Sequence, residues 1–220
     1  MNTTATRWLT IGLALLSLAA ASVAHAEDDF ESDLESVRDN WAIASYKTPK
    51  DQQLAAFERV LAESAAFASQ YPGRAEALIW DGIVLSTYAG LKGGIGAMGP
   101  AKQSRARFEA ALAIDDRAMD ASAYTSLGAL YHKVPGFPIA FGSDRKARAY
   151  FDKALQISPD AIDPNYFYGE FLYDEGEYAA ALAHLERALK APPRPGREVA
   201  DEGRRQEIRT LIAKTNKKMR

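Results

Sequence analysis

Three glycines, Gly82, Gly128 and Gly169, recur at intervals of 46 and 41 residues, each inside a stretch whose apolar residues follow helical spacing. A helix-interior glycine costs roughly 0.5–1 kcal/mol against alanine, so its recurrence calls for a compensating contact. That contact is legible downstream. Each glycine stretch is followed by a second helical stretch offering large and small apolar residues: Phe108 and Ala111, then Ala147, Phe151 and Ala154, then Ala181, Leu185 and Ala188. Helix backbones approach closely where a side chain is missing, and the large residue fills the space beside the gap. The pattern predicts an all-α chain of antiparallel helix pairs stacked side by side.

The last pair, Asp163 to Pro193, is the most regular. Tyr168, Gly169 and Leu172 face Ala181, Leu185 and Ala188 across a turn of Glu175 and Gly176, and Pro193 is the stop. The pair before it carries Tyr124, Leu127, Gly128 and Tyr131, and ends at Pro159. The pair starting at Arg74 carries Leu78, Gly82 and Leu85, with Asp81 where leucine is usual and Ser104 where alanine is usual. Its turn is enlarged by LKGGIGAMGP, and that of the next pair by VPGFPIAFG. The order aromatic, Leu-Gly, Tyr, Ala, Phe, Ala, Pro resembles the tetratricopeptide repeat (TPR). The resemblance covers residues 74–193. It implies a TPR-like α-solenoid whose first helices line a concave groove that binds peptides or partner proteins, and it says nothing of chemistry.

The flanks complete the organisation. Residues 1–26 read as a signal peptide, with Arg7, an apolar run from Trp8 to about Ala21, and Val23, Ala24, His25 and Ala26 as an Ala-x-Ala site cleaved after Ala26. Export to a bacterial periplasm is the expectation. No later segment reaches the ~20 apolar residues of a membrane span, so stable membrane insertion of the mature chain is not expected. Residues 27–73 read as a degenerate N-terminal helix pair. It has an acidic start, then Val37, Trp41 and Ile43 or Ala44, then Thr48, Pro49, Lys50 and Asp51 as a capping box, and a second stripe of Leu54, Phe57, Leu61, Ala65 and Ala68. Residues 194–220 read as a C-terminal capping helix, about Glu198 to Lys217, with a basic tail. Long inter-helix inserts in an exported protein are also similar to the periplasmic T-component of TRAP transporters. Members of that family are typically lipoproteins, and this chain has no cysteine to carry a lipid.

Composition narrows the chemistry. Without cysteine there is no disulfide, thiolate metal site or cysteine nucleophile. A net charge of −2 gives no basic surplus for nucleic acid. The histidines are His25, His132 and His184; none falls into a metal-ligand cluster or a Ser-His-Asp spacing. His184 is expected on a solvent face and His132 at a helix end. Gly94, Gly96 and Gly99 spell G-x-G-x-x-G, but they follow a helix and not a strand, so they predict a loop with unusual φ values and no nucleotide site. The expectation is a non-enzyme without metal or cofactor.

Binding residues are expected in two places. On the groove, first-helix positions not used for packing include Ile79, Ile83, Thr125, His132, Tyr166, Glu170 and Tyr173, with Trp80 at its edge. On the enlarged turns, Ile95, Met98, Phe137, Ile139 and Phe141 are apolar where loops are usually polar, with Phe137 and Met98 expected to be the exposed ones. The leading expectation is a scaffold that binds a protein or peptide partner along the groove. The alternative is an accessory protein that holds a small apolar ligand beneath the inserts. Residues 27–40 carry net −6 and residues 190–220 net +6, which offers head-to-tail self-association.

Overall fold

The computed structural model describes residues 27–220; the expected signal peptide lies outside the described residues. The described chain is an all-α solenoid. Helix α1 (27–46) pairs with α2 (Gln53–Gln70), α3 (Ala75–Lys92) with α4 (Met98–Ile114), α5 (Ala118–Lys133) with α6 (Asp144–Ile157), and α7 (Ile162–Asp174) with α8 (Tyr178–Lys190). Helix α9 (Glu198–Lys218) follows. Helices α3, α5 and α7 pack against one another on the inner side, while α4, α6 and α8 form the outer side.

The recurrent glycines are points of closest approach. A Cβ built on Gly82 would lie 2.5 Å from the Phe108 ring, on Gly128 2.7 Å from Phe151, and on Gly169 2.9 Å from Leu185. Ala111, Ala147, Ala154, Ala181 and Ala188 are fully buried beside them. The two departures from the repeat pattern are both polar and both bonded. Ser104 donates its hydroxyl to the Gly82 carbonyl at 2.8 Å. Buried Asp81 accepts from Ser64 of α2 at 2.9 Å and from Arg107 of α4 at 2.7 Å, so one carboxylate ties three helices together.

The N-terminal pair differs from expectation in detail. Helix α2 starts at Gln53 without a side-chain cap, because Thr48 donates to the Ile43 carbonyl and closes α1 instead, leaving Pro49 in the turn. The buried stripe of α2 is Ala56, Phe57, Val60, Ser64, Phe67 and Ala68; Leu54 is exposed. The stripe is rotated because α2 meets α1 as well as α3, with Phe67 stacked on Phe30. The enlarged turns are ordered by their own backbones. Gly93 and Gly94 take φ of 62° and 54°, and a 3₁₀ turn over Ile95–Ala97 leads directly into α4. In the second turn, Gly142 donates to the Pro135 carbonyl at 2.9 Å and pinches the loop at its base.

Helix α9 packs on α8 and α7 and also reaches back to α1. Val199 and Ala200 belong to the apolar cluster of the N-terminal pair, and Gly203 lies so close to the Tyr46 ring that a Cβ would sit 2.3 Å from it. The first and last helices of the described residues therefore meet.

Gly128→Ala is expected to lose about 1–3 kcal/mol by overpacking against Phe151. Gly90→Ala, in a helix position with open space around it, is expected to gain about 0.5–1 kcal/mol. Denaturant unfolding of the two variants checks both signs.

Candidate functional site

Closure by α9 turns the concave side into a cavity of about 290 Å³. Its walls come from α1 (Trp41), α3 (Trp80, Ile83, Ser86, Thr87, Gly90), α5 (Met119, Ser122, Thr125, Ser126, Ala129, Leu130, Lys133), α7 (Asp163, Phe167) and the closing segment (Arg194, Arg197, Arg204). Most of the hydroxyls on these walls are already engaged with their own helices. Ser86 and Thr87 donate to the Ile83 carbonyl at 2.9 and 2.8 Å, Ser122 to Met119 and Thr125 to Ala121; Thr87 also accepts the Trp41 indole N–H at 3.0 Å. These groups leave the cavity mainly apolar, with few free donors.

Met119 reaches this wall through an unusual turn. Met119, Asp120 and Ala121 take φ of 50°, 56° and 60°, three consecutive left-handed residues at the start of α5. Each such residue costs roughly 1–2 kcal/mol without glycine, so the turn persists only because the surroundings hold it. Met119 packs on two apolar clusters at once, and Ala121 is fully buried.

One end of the cavity is fastened by ions. Asp163, at the start of α7, accepts from Arg194 at 2.7 Å and from Arg204 at 2.9 Å. Arg194 also pairs with Asp201 at 2.6 Å and Arg204 with Glu207 at 2.6 Å, while the Arg204 guanidinium lies over Tyr166 and Phe167. Tyr46 donates to Glu207 at 3.3 Å and brings α1 into the network. Burial alone pushes the Asp163 carboxyl up, but Arg204 and Arg194 outweigh it and hold it well below the usual carboxylate range. Burial dominates at the other two groups, pushing Glu207 up and the Tyr46 hydroxyl up to about 12.

Of the groove residues expected from the sequence, the cavity gathers Trp80, Ile83 and Thr125. The others go elsewhere. Ile79 has no exposed surface and belongs to the core, a correction explained by its position between α3 and the helices on both sides. Tyr166 is buried beneath Arg204. Glu170 sits 3.4 Å from Lys133, and Tyr173 packs on Tyr178. His132 is held between Asp144 and Asp174, each at 2.9 Å, with its ring edge-on to Phe171. It fastens α5 to α6 and α7. Burial pushes Asp174 up, and hydrogen bonds from His132 and Lys133 bring it below its ordinary value. His184 corrects the solvent-face expectation: it is half-buried, 2.9 Å from Asn165 and edge-on to Tyr168, and burial pushes its imidazole below the ordinary value.

The loop residues divide. Ile95, Phe137 and Ile139 are 94%, 93% and 75% exposed. Met98, expected to be exposed, is half-buried because it opens α4, and Phe141 packs on Tyr131 beneath the Arg105 guanidinium. Sequence reasoning missed Trp41, Met119, Phe167 and the three arginines of the closing segment. The arginines were legible only as part of a basic tail, because their position depends on α9 folding back. Among the described residues there is no group of His, Asp or Glu side chains arranged to hold a metal, and no helix is long and apolar enough to cross a membrane.

Residues 142–201 match the tetratricopeptide repeat family model. The match runs from the start of α6 into α9, across the most regular helix pair. A solved structure of a thermophilic TPR protein from Thermus thermophilus aligns over 84% of this chain and 98% of its own, with a TM-score of 0.55 at 15% identity. That likeness shows the fold, an all-α TPR-type solenoid. No curated protein matches the sequence.

Asp163→Asn leaves Arg194 and Arg204 without their shared carboxylate. Because Asp163 keeps about a quarter of its side-chain surface exposed, the expected loss is about 2 kcal/mol, below the figure for a fully buried pair. The folded carboxyl is depressed, so its contribution is complete well above the ordinary value of 3.8 and is lost as pH falls through that value toward the folded one. Denaturation of wild type and variant from pH 7 down to pH 3 should show the gap narrowing at the acid end.

Proposed function

We propose that the chain is an exported, non-catalytic TPR-type binding protein whose occupant sits inside the concave cavity and not along an open groove. The observation that carries this reading is the closure by α9. An extended peptide needs a groove open at both ends, whereas Arg194, Arg197 and Arg204 stand across this one. A cavity of about 290 Å³, at the lower end of the roughly 300–1,000 Å³ range of ligand sites, suits a compact molecule. Its apolar walls favour an apolar body. This moves the small-ligand reading from beneath the inserted loops to the space between α1, α3, α5, α7 and α9. Export rests on the pattern of residues 1–26.

A second reading is supported by the loops. Ile95, Phe137 and Ile139 are large apolar side chains held out in water, and such surface on a scaffold fits a protein partner. The two readings are compatible, since the loops are not among the residues that line the cavity.

Two measurements separate them. Gly90 lines the cavity, and a Cβ added there meets nothing within 4 Å, so Gly90→Phe places a ring at the cavity wall without a clash at its Cβ. The neutral fluorophore N-phenyl-1-naphthylamine should brighten with the wild-type chain and not with Gly90→Phe; equal brightening rejects the cavity as the site. For the loops, Phe137→Ser with Ile139→Ser should leave stability within about 0.5 kcal/mol and remove a partner that wild type captures from cell-envelope extract. Unchanged capture by the double variant rejects the loop surface.

A further inference from the structure

Three arginines of the closing segment reach the cavity, and they are not equivalent. Arg194 and Arg204 are neutralised by Asp163, Asp201 and Glu207. Arg197 has no ion pair or side-chain hydrogen bond among the described residues, and its Nε is buried without a partner. The Trp80 indole beneath it, with the ring centroid 5.1 Å from the guanidinium carbon, also has a buried Nε1 without an acceptor. Two donors on one wall therefore lack acceptors, in a protein interior where the great majority of buried polar atoms have one.

The other charges around Arg197 do not fill this gap. Arg38 of α1 and Arg194 repel it, while Asp163 and Asp201 attract it but are bonded to Arg194 and Arg204. Glu35 and Asp39 of α1 line a second depression together with Arg197, and neither pairs with it within 4.0 Å. Burial and the Arg194 charge push the guanidinium down to about 10, which leaves it cationic at neutral pH. Arg197 is half-buried with its Nε enclosed; a partly desolvated cation without an anion is costly, and the cost is relieved when an anion arrives.

We propose that Arg197 is the anion-binding subsite of the cavity and that the occupant is a compact apolar monocarboxylic acid. The inference rests on the cavity reading above and names its ligand class. The planar guanidinium fork matches a carboxylate. Of the cations that line the cavity, Lys133, Arg194 and Arg204 are paired and Arg197 is not, which calls for one negative charge and disfavours a phosphate dianion or a dicarboxylate. Trp41, Ile83, Met119 and Phe167 supply the apolar walls for the body of the acid.

The test is displacement of N-phenyl-1-naphthylamine from the full chain at neutral pH. Octanoate is compared with octanamide, and phenylacetate with phenylacetamide, on wild type and on Arg197→Gln. On wild type, at least one acid should displace the fluorophore at a concentration about tenfold or more below that of its amide, the size expected of a charge-assisted hydrogen bond. The better acid tells an alkyl body from an aryl one. On Arg197→Gln, acid and amide should become equal. Because Arg197 has no ion pair or hydrogen bond to lose, only its contact with the Trp80 ring, the variant should also unfold within a degree or two of the wild-type temperature when no acid is present. Acids no better than amides on wild type, or an acid preference that survives in Arg197→Gln, overturn the subsite and leave the cavity reading standing. A drop of several degrees in Arg197→Gln overturns it too, since it makes the arginine structural. If wild type fails to bind the fluorophore, both readings fall together.

Discussion

Everything in this fold depends on how closely two helix backbones approach at Gly82, Gly128 and Gly169. With no Cβ on one side, Phe108, Phe151 and Leu185 press directly against the facing helix, and the buried alanines beside them keep that spacing along the pair. Each pair then presents an apolar outer face that it cannot cover alone, so the next pair must cover it. Stacking follows from the packing of one unit. The polar departures fit the same packing: Ser104, where the other pairs carry Ala147 and Ala181, bonds across to the Gly82 carbonyl, and Asp81, where they carry Leu127 and Tyr168, is bonded to Ser64 and Arg107.

A plain solenoid would leave its inner face open. Here α9 lies across it, held by Asp163 with Arg194 and Arg204 on one side and by Tyr46 against Gly203 and Glu207 on the other. The contact between the first described helix and the last is made by Tyr46, Val199 and Ala200 and not by ion pairs between the acidic and basic stretches. That closure gives the tryptophans, Met119 and Phe167 a shared interior, and it gives the interior an end that is cationic.

The architecture was legible because it rests on spacing. Glycine, alanine and aromatic residues at fixed offsets located the helix pairs, the short Glu175–Gly176 turn and the two enlarged ones. The site was legible only in part. Trp80, Ile83 and Thr125 face the cavity as their helix positions suggested, whereas Ile79, one residue earlier than Trp80, turns into the core because α3 is flanked on both sides. Arg197 and Trp41 could not have been placed together from periodicity, since they lie at opposite ends of the chain and share a site only through closure. The left-handed turn at Met119 was equally hidden: neither methionine nor alanine signals a positive φ.

Closure by the final helix also fixes when the cavity can exist. A chain emerging from synthesis can stack α1 to α8 in the order they appear, each on its predecessor. The bond from Tyr46 to Glu207 spans 161 residues and waits for nearly the last segment. Until then the inner face is a mainly apolar surface whose lining cation, Lys133, is already held by Glu170 and Asp174. A chain stopped short of α9 lacks the closing wall, so the proposed binding cavity depends on the last helix being made.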